Sequence, residues 1–478
     1  MNEKEYIKLI KKTEIADFYK IKGFLILKPY GYKIWENIKK ILNKMLIKSK
    51  HENVYLPLLI PKNLFYKKKN IKKNKYAIIT HTKFKFNKKK LKIDPKSKLN
   101  EEYIIRPTSE DIIWYKYKKW IKTYKDLPKL LNQWANIIRI EMRNKILIRN
   151  SEFLWQEGHT AHKNKKSTNL EIKKIKKIYK KLIKKYLSIP FLYGYKTEKE
   201  KFYGAKSTYT FETITKLKGK SIQLATIHNL GKNYAKFYNV KYINSKGFKK
   251  YVRGTSWGIS TRLLGSLIMI HNDKNGLILP PKIAPIQIII IPIINKKNLK
   301  YKNKLKKIIK LITKKLKNKK IRFKYDKNKD ETPGYKFYKY ERMGVPIRIT
   351  IGPKEIYKNK IEITRRDNFK KYFLNIKKNY IKKIIKIFKK IQKNIYKIAK
   401  KNMYKKIFFL NNYKKFKKKI IKKSGFFIVF WFPNNKNENI IQKETKFTIR
   451  CLFKTKKKGK CFYSGKKTKI KAVFGKSY

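Results

Sequence analysis

The longest apolar run in the chain, IAPIQIIIIPII at 283–294, restricts the possible fold more than any other feature. It contains prolines and is too short to span a bilayer, so it predicts a buried strand rather than a membrane helix. Beyond it, stretches with strand and helix patterns alternate over about 120 residues, which predicts a small α/β domain. The predicted strands are 286–293, 321–325, 346–351 and 360–366, the predicted helices are 296–318 and 368–402, and a helical turn is predicted at 335–343.

The residues before this run are more varied and hold six of the seven tryptophans and all six histidines. Apolar spacing and turn residues predict a mixture of helices and strands there. Helices are predicted at 30–46 and 168–187, strands at 51–61, 132–143 and 146–155, and a strand followed by a helix at 254–273, while 62–100 reads as a Lys- and Asn-rich excursion. The predicted regions are 1–282, 283–402 and a compact segment, 403–478.

The chain carries 129 Lys and Arg against 29 Asp and Glu, a formal net charge of +100. Lysine is enriched in every region, which indicates a general drift of composition more than one binding patch. Such a charge permits an RNA partner without proving one. Two cysteines and the lack of an apolar signal core predict a soluble, cytoplasmic protein without a disulfide framework or a membrane partner.

Arginine is rare, so its positions are informative. Only 12 of the 129 basic residues are Arg, and Arg106, Arg139, Arg143 and Arg149 fall close together. Arginine offers a planar fork that binds a phosphate or carboxylate at two points, which lysine cannot do. These positions, with Arg262 after a Gly-Ile-Ser-Thr turn, therefore suggest an anion-binding site.

The stretch RNSEFLWQEGHTAH at 149–162 contains no lysine. Glu157 and His159 are candidates for a functional pocket, and Trp155 for its aromatic wall, whereas Phe153 reads as a core residue. His159 and His162 have the spacing of a metal pair, but no third ligand accompanies them.

Five ordered blocks resemble the prolyl-tRNA synthetase family, in the type shared by archaea, eukaryotes and some bacteria. The blocks are RPTSE (106–110), NQWANIIRIEMR (132–143), FLWQEGHTAH (153–162), TSWGISTRLLGSLIM (255–269) and NGLILPPKIAPIQIIIIPI (275–293). The resemblance implies an α+β fold class, with a class II antiparallel-sheet catalytic domain, then an α/β anticodon-binding domain and a small α+β C-terminal domain. It also implies a homodimer, with the interface around residues 23–61.

The resemblance further implies ATP-dependent ligation of L-proline to tRNA(Pro) in two steps through a prolyl-adenylate. Arg139 and Arg262 would be catalytic by neutralising phosphate charge, since adenylation needs positioning and no protein nucleophile. The implied proline-binding residues are Thr108, Glu110, Arg139, Glu157, His159, His228 and Ser260. The implied residues for ATP and its Mg²⁺ are Arg139, Glu141, Arg149, Gln223, Thr226 and Arg262.

Outside the catalytic region, the resemblance implies that Glu341, Arg365 and Arg366 contact the tRNA anticodon. Phe337 and Tyr340 would stack on unpaired bases. No DNA partner is expected. Only 123 positions separate Arg139 from Arg262 (262 − 139), too few for the editing insertion of many bacterial relatives.

The last region departs from the family pattern. Relatives often hold zinc there through four cysteines, but here Phe432 follows Trp431 and Ser464 replaces one member of a C-x-x-C pair. Of that pair only Cys461 remains, and a single thiolate cannot complete a tetrahedral zinc site. We therefore expect no structural zinc and a region stabilised by Phe426, Phe427, Phe430 and Trp431 instead.

Two alternatives stay open at this stage. The chain could be another class IIa synthetase, for threonine or glycine, or a synthetase-derived RNA-binding protein without catalysis. The RPTSE and WQEGH blocks disfavour the first, and the complete arginine motifs disfavour the second.

Overall fold

A computed structural model describes residues 1–64, 75–87, 90–294 and 300–478. Parts of the predicted excursion at 62–100 and the predicted start of the helix at 296–318 lie outside these residues. The helices of the first region are α1 Glu3–Lys12, α2 Pro29–Lys48, α3 Glu110–Trp120, α4 Lys165–Lys181, α5 Asn233–Phe237 and α6 Arg262–Ile270. Its strands are β1 Ala16–Phe18, β2 Leu25–Leu27, β3 Glu52–Asn53, β4 Leu59–Pro61, β5 Ile78–His81, β6 Phe84–Asn87, β7 Lys90–Ile93, β8 Lys98–Ile105, β9 Lys129–Ile138, β10 Glu152–His162, β11 Leu192–Tyr195, β12 Ser207–Ile214, β13 Ser221–Gly231, β14 Lys241–Ile243, β15 Lys249–Tyr251, β16 Arg253–Ser260, β17 Asn272–Asp273 and β18 Gly276–Leu277.

Six of these strands form an antiparallel sheet in the order β11-β12-β13-β16-β10-β9, and β3 adds in parallel at the β9 edge. The predicted antiparallel sheet is therefore confirmed. One face packs against α2, α4 and α6, where Ile227, Trp257 and Ile259 lie in the largest apolar core. Because strand residues alternate between faces, their neighbours Thr226, His228 and Gly258 lie on the other face.

The connection between β9 and β10 differs from the sequence prediction. The strands predicted at 132–143 and 146–155 leave only a short turn between them, which would place Arg139 and Glu141 within the first strand. Instead β9 ends at Ile138 and β10 begins at Glu152, so both residues lie in the intervening loop. The Arg139 N–H still donates to the Ser151 carbonyl at 2.7 Å, which keeps the base of the loop closed.

The second region contains a five-stranded mixed sheet in the order β20-β19-β21-β22-β23. In β19 the isoleucines alternate, with Ile288 and Ile290 in one apolar cluster and Ile289 and Ile291 in another, as expected for a strand buried on both faces. The elements are β19 Ile288–Pro292, α7 Lys302–Asn318, β20 Phe323–Tyr325, α8 Pro333–Arg342, β21 Ile347–Ile351, α9 Pro353–Tyr357, β22 Lys360–Arg365, β23 Lys371–Asn375 and α10 Tyr380–Tyr404.

The predicted helix at 368–402 is wrong at its start. Residues Lys371–Asn375 form β23, in which Leu374 is buried and its neighbours are more exposed. The alternating burial is that of a strand, and β23 pairs with β22. The helix begins only after Asn379, whose side chain accepts a hydrogen bond from the Lys382 N–H. The five-residue strand was missed because the much longer helical pattern that follows it dominates this part of the sequence.

The third region extends the first region's sheet. Its elements are β24 Ile407–Phe409, α11 Tyr413–Lys422, β25 Phe426–Phe430, α12 Asn435–Thr445, β26 Thr448–Lys460 and β27 Lys467–Gly475. Leu452 of β26 pairs with Tyr195 of β11, so the two sheets join into one of eleven strands. Phe426, Phe427 and Trp431 are fully buried, in keeping with an aromatic core.

The second region is fastened to the first by polar contacts. Arg366 donates to both carboxylate oxygens of Asp273, at 2.7 and 2.5 Å. Gln392 of α10 donates to the Ser188 hydroxyl at 2.7 Å. Among the helices of the described ranges, none combines the length and apolarity needed to cross a membrane.

Candidate active site

The free face of the antiparallel sheet forms the floor of a cavity of about 260 Å³. Strand register explains how distant sequence motifs meet there, because residues directly opposite each other in a sheet share a face. Glu157 on β10 lies opposite Gly258 on β16, which lies opposite Thr226 on β13. Ser256 on β16 likewise lies between His159 and His228.

Ten of the twelve predicted substrate-binding residues line this one cavity. They are Thr108, Glu110, Arg139, Glu157, His159, Gln223, Thr226, His228, Ser260 and Arg262. The other two, Glu141 and Arg149, are not among its lining residues and pair with each other, with Arg149 Nε 3.4 Å from Glu141 Oε2. The structure thus brings most of the set together, while the role of each side chain stays a prediction.

A glycine makes the floor possible. A Cβ atom on Gly158 would lie 2.2 Å from the Trp257 ring, which packs under the floor. Any side chain at this position would therefore displace the tryptophan or tilt β10. This close approach explains the glycine between Glu157 and His159.

The two predicted catalytic arginines are held by their inner nitrogens. Arg139 Nε donates to the Pro107 carbonyl at 2.9 Å, and Arg262 Nε donates to the Ile148 carbonyl at 2.9 Å. Among the described residues, neither a hydrogen bond nor an ion pair engages their terminal nitrogens. The Arg139 guanidinium also stacks over Trp155, with its central carbon 5.2 Å from the ring centroid. Both forks are therefore oriented and remain available to an anion.

Glu157 is buried and fully engaged inside the protein. It accepts from Gln133 Nε2 at 2.9 Å and from the Ser109 hydroxyl, and it lies 3.1 Å from His159 Nε2. These contacts fix its carboxylate, so we expect Glu157 to orient His159 more than to contact a ligand. The sequence suggested a functional residue here but could not reveal this indirect arrangement.

Three titratable groups give the cavity a mixed charge. Burial would raise the pKa of Glu110, but His159, a hydrogen bond from Thr108 and His228 together lower it. Burial would lower the pKa of His159, but the hydrogen bond and charge of Glu157 raise it. Burial lowers the pKa of His228 to about 4. At neutral pH Glu110 is therefore ionised and His228 is neutral.

Thr208 and Phe202 hold the imidazole ring of His228 in place. The Thr208 hydroxyl oxygen accepts from the Phe202 N–H at 3.0 Å and lies 2.9 Å from His228 Nδ1. Because the Thr208 hydroxyl is itself held by the backbone, its contact with Nδ1 fixes the position of the imidazole ring. Phe202 also packs against the imidazole, with ring centroids 4.5 Å apart.

Several lining residues were missed by the sequence reasoning. Phe153, interpreted as a core residue, lines the cavity, as do Phe202, Lys196 and Glu200. Only the general Lys-rich character of 196–206 was visible in the sequence, and nothing in it signalled a pocket wall. The Tyr478 ring also approaches the cavity, 5.4 Å from the central carbon of the Arg262 guanidinium.

The three predicted anticodon residues cluster in the second region, but two of them are buried in ion pairs. Arg365 donates to Asp367 through Nε at 2.9 Å and Nη2 at 2.6 Å. Arg366 is held by Asp273 and by the Glu341 carbonyl at 2.7 Å. The Glu341 carboxylate pairs with Arg348 at 2.5 Å. The structure therefore favours Glu341 as the accessible member, and an anticodon role for the arginines stays a prediction.

Cys451 and Cys461 are both buried and free of disulfides. Within the part of the chain that the structure describes, no group of three or more His, Cys, Asp or Glu side chains could hold a metal ion. The expected lack of zinc stays a prediction.

Known proteins resemble the chain over nearly its whole length. A curated protein of Flavobacterium johnsoniae named proline–tRNA ligase is 40% identical over 483 residues, covering 99% of this chain and 97% of its own. That of Azobacteroides pseudotrichonymphae is 42% identical over 452 residues, covering 94% and 91%. The crystal structure of prolyl-tRNA synthetase from Cryptosporidium parvum, complexed with L-proline and AMP, superposes with a TM-score of 0.89 at 33% identity, covering 99% of this chain and 97% of its own.

Three family models match successive parts of the chain. They are the tRNA synthetase class II core domain (G, H, P, S and T) at 84–271, an anticodon binding domain at 287–390, and the C-terminal domain of prolyl-tRNA synthetase at 413–478. The sheet topology and these matches place the chain among the class II aminoacyl-tRNA synthetases. Within that class, it belongs to the proline–tRNA ligase family.

Proposed function

We propose that the chain ligates L-proline to tRNA(Pro) in two ATP-dependent steps. The proline carboxylate attacks the α-phosphorus of ATP in line, and pyrophosphate leaves. A terminal hydroxyl of the tRNA then attacks the carbonyl carbon of the prolyl-adenylate, and AMP leaves. The observation that carries this proposal is the convergence of the ten predicted residues on one cavity.

The side chains suit the chemistry of each substrate. Glu110 is buried and ionised, so it is a suitable partner for the cationic ring nitrogen of proline, with Thr108 bonded to its carboxylate. The apolar ring fits a small slot beside Trp155, Phe202, His159 and His228, where Glu157 holds His159 in place. Ser260 completes the lining at the end of β16.

ATP is proposed to bind on the side of the cavity that carries the arginines. Arg139 would neutralise charge at the α-phosphate and Arg262 at the γ-phosphate side, which lowers the barrier without covalent participation of the protein. Gln223 and Thr226 offer the oxygen donors that Mg²⁺ prefers, so they are suited to the metal that accompanies ATP. Glu141 and Arg149, paired outside the lining, are proposed to act at the adenine end.

The anticodon contacts and the oligomeric state are proposed from the family. Glu341, whose side chain is 24% exposed, would contact the anticodon directly. Arg365 and Arg366 would contribute through the ion pairs that shape this site. The active form is proposed to be a cytoplasmic homodimer with an interface around residues 23–61.

Pyrophosphate exchange into ATP tests this function. The assay measures adenylate formation without tRNA, and it should be run with each of the twenty amino acids separately. We expect exchange with proline and at least about 100-fold less with threonine or glycine, since a site built around specific polar contacts rejects ligands that leave them unpaired. Exchange with threonine instead would indicate another class IIa enzyme. No exchange with any amino acid would indicate an RNA-binding protein without catalysis.

A further inference from the structure

A buried ionic cluster, of which Lys196 lines the cavity, has no role in the proposed mechanism. Glu212 on β12 is fully buried and lies between two cations. Lys196 Nζ donates to Glu212 Oε1 at 3.0 Å, and Arg450 donates to Oε2 through Nε at 3.2 Å and Nη2 at 3.1 Å. Arg450 belongs to β26 of the third region, so the cluster joins two regions of the chain.

The cluster is well satisfied, as a buried ionic group must be. Lys196 Nζ also donates to the Arg450 carbonyl at 2.9 Å. Burial would raise the pKa of Glu212, but Arg450, Lys196 and a hydrogen bond from Thr210 lower it below its ordinary value. Glu212 is therefore a carboxylate, which can only accept hydrogen bonds.

Because Glu212 can only accept, it fixes the direction of the hydrogen bonds that connect it through the Thr210 hydroxyl to Gln223 in the cavity. The Thr210 hydroxyl donates its only proton to Glu212 Oε1 at 2.8 Å. Its oxygen can then only accept from Gln223, whose Nε2 lies 3.1 Å away. Because the Gln223 amide donates on this side, its carbonyl oxygen is left for the cavity, which Gln223 lines.

Strand register brings these groups together. Glu212 lies opposite Gln223 across β12 and β13, and Thr210 lies two residues from Glu212, so the three share a face of the sheet. The register shifts between Phe211 and Glu212, which is the signature of a bulge at this point.

We propose that Arg450, Glu212 and Thr210 form a positioning relay that fixes the amide orientation of Gln223 for MgATP. The relay presents the carbonyl oxygen, an acceptor for a nucleotide hydroxyl and a ligand for a divalent cation, rather than the amide N–H₂ group. It makes the third region a contributor to ATP binding through side chains that do not touch the substrate. This inference rests on the proposed function, because it deepens the role of Gln223 in that reaction.

The decisive variant is Thr210→Val, which removes the hydroxyl and leaves the ionic cluster intact. Without the relay the Gln223 amide is free to rotate, so we expect the KM for ATP in pyrophosphate exchange to rise about tenfold, the effect of one lost hydrogen bond. The KM for proline should stay within about twofold, because Glu110 and the histidines are untouched. Thr210→Ser keeps the hydroxyl and should restore the ATP value.

Thr213→Val provides the matched control. Thr213 is buried on the same strand and donates to the Pro190 carbonyl at 2.6 Å, outside the relay. It should cost stability, measured as the thermal midpoint, without a selective change in the KM for ATP. Arg450→Lys, which keeps the charge but not the two-point contact, should raise the KM for ATP less than Thr210→Val does.

The outcomes separate the inference from the function on which it rests. If Thr210→Val leaves the KM for ATP within twofold, or raises both KM values equally, the relay is refuted and Thr210 is merely structural. The relay is also refuted if Thr213→Val selectively raises the KM for ATP. If the unaltered protein does not support proline-dependent exchange, the proposed function itself fails.

Discussion

The candidate active-site cavity and the cluster of predicted anticodon residues (Glu341, Arg365 and Arg366, below called the anticodon cluster) use the same residue type in opposite ways. In the cavity, Arg139 and Arg262 are each held by Nε on a backbone carbonyl. In the anticodon cluster, Arg365 and Arg366 each form two bonds to one carboxylate, from Asp367 and Asp273. The first arrangement prepares a fork for a ligand, whereas the second neutralises the fork within the protein. A rare arginine therefore marks a place where geometry matters, and its partners decide whether that geometry serves binding or stability.

The largest test of this comparison is Arg139→Lys. A point charge replaces an oriented fork, so we expect the kcat of proline-dependent pyrophosphate exchange to fall by at least about 100-fold, as when one preorganised donor to a developing charge is lost. Arg143→Lys is the matched control, since Arg143 is exposed in the same loop and outside the cavity lining. A rate for Arg139→Lys within a few-fold of the parent would remove Arg139 from the mechanism.

Lowering the pH should destabilise the first region through its histidines but not the second region, because every histidine lies before residue 282. Burial lowers the pKa of His162, His228 and His271 from 6.5 to about 4. The unfolded chain therefore binds more protons below pH 6.5, and stability is lost progressively until the pH reaches about 4. For each such histidine the free energy of unfolding should be about 2 kcal/mol lower at pH 5 than at pH 8.

Tryptophan fluorescence can follow this loss during urea unfolding, since six of the seven tryptophans lie in the first region. His271→Gln is the test variant, because His271 lies away from the cavity lining and its Nε2 is 2.9 Å from the Leu187 carbonyl, which an amide can also reach. In this variant the free energy of unfolding should fall by about 2 kcal/mol less between pH 8 and pH 5 than in the parent. An unchanged dependence would mean that His271 titrates normally in the folded protein.

Glu341→Ala tests the member of the anticodon cluster that remains partly exposed. We expect tRNA charging to fall about tenfold, the cost of one lost base contact, while exchange without tRNA stays unchanged. Asp330→Ala is the control, because Asp330 is an exposed carboxylate in the same region. Equal loss of charging and exchange would show that Glu341 supports the catalytic domain rather than the RNA.

The smallest expected effect belongs to Arg365→Lys. Its guanidinium faces Asp367, so charging should stay within about twofold, and the loss of the second bond should lower the free energy of unfolding by about 1 kcal/mol. Charging kinetics and urea unfolding measured on one preparation separate the two effects. A large loss of charging at unchanged stability would show that Arg365 contacts the RNA directly, which would weaken the comparison.

The long motifs predicted the fold and the ten residues that converge on the cavity, because antiparallel register brings separate sequence blocks together as neighbours. The ends of β9 and β10 could not be predicted, since the loop holding Arg139 has the same apolar alternation as the strands. Phe202 and Lys196 were missed because they lie in a Lys-rich stretch with no periodic signal. The engagement of Arg366 by Asp273 depends on a contact between residues 93 positions apart, which spacing alone cannot reveal.

The eleven-stranded sheet has a consequence for any attempt to dissect the molecule. Leu452 pairs with Tyr195 at the outer side of β11, and Ile214 packs in a cluster with Phe426 and Val473. A fragment cut near residue 403 would bare an unpaired strand edge and an apolar patch at the same place, a combination that invites edge-to-edge pairing between molecules. We therefore expect such a fragment to aggregate, so the third region protects the solubility of the catalytic sheet.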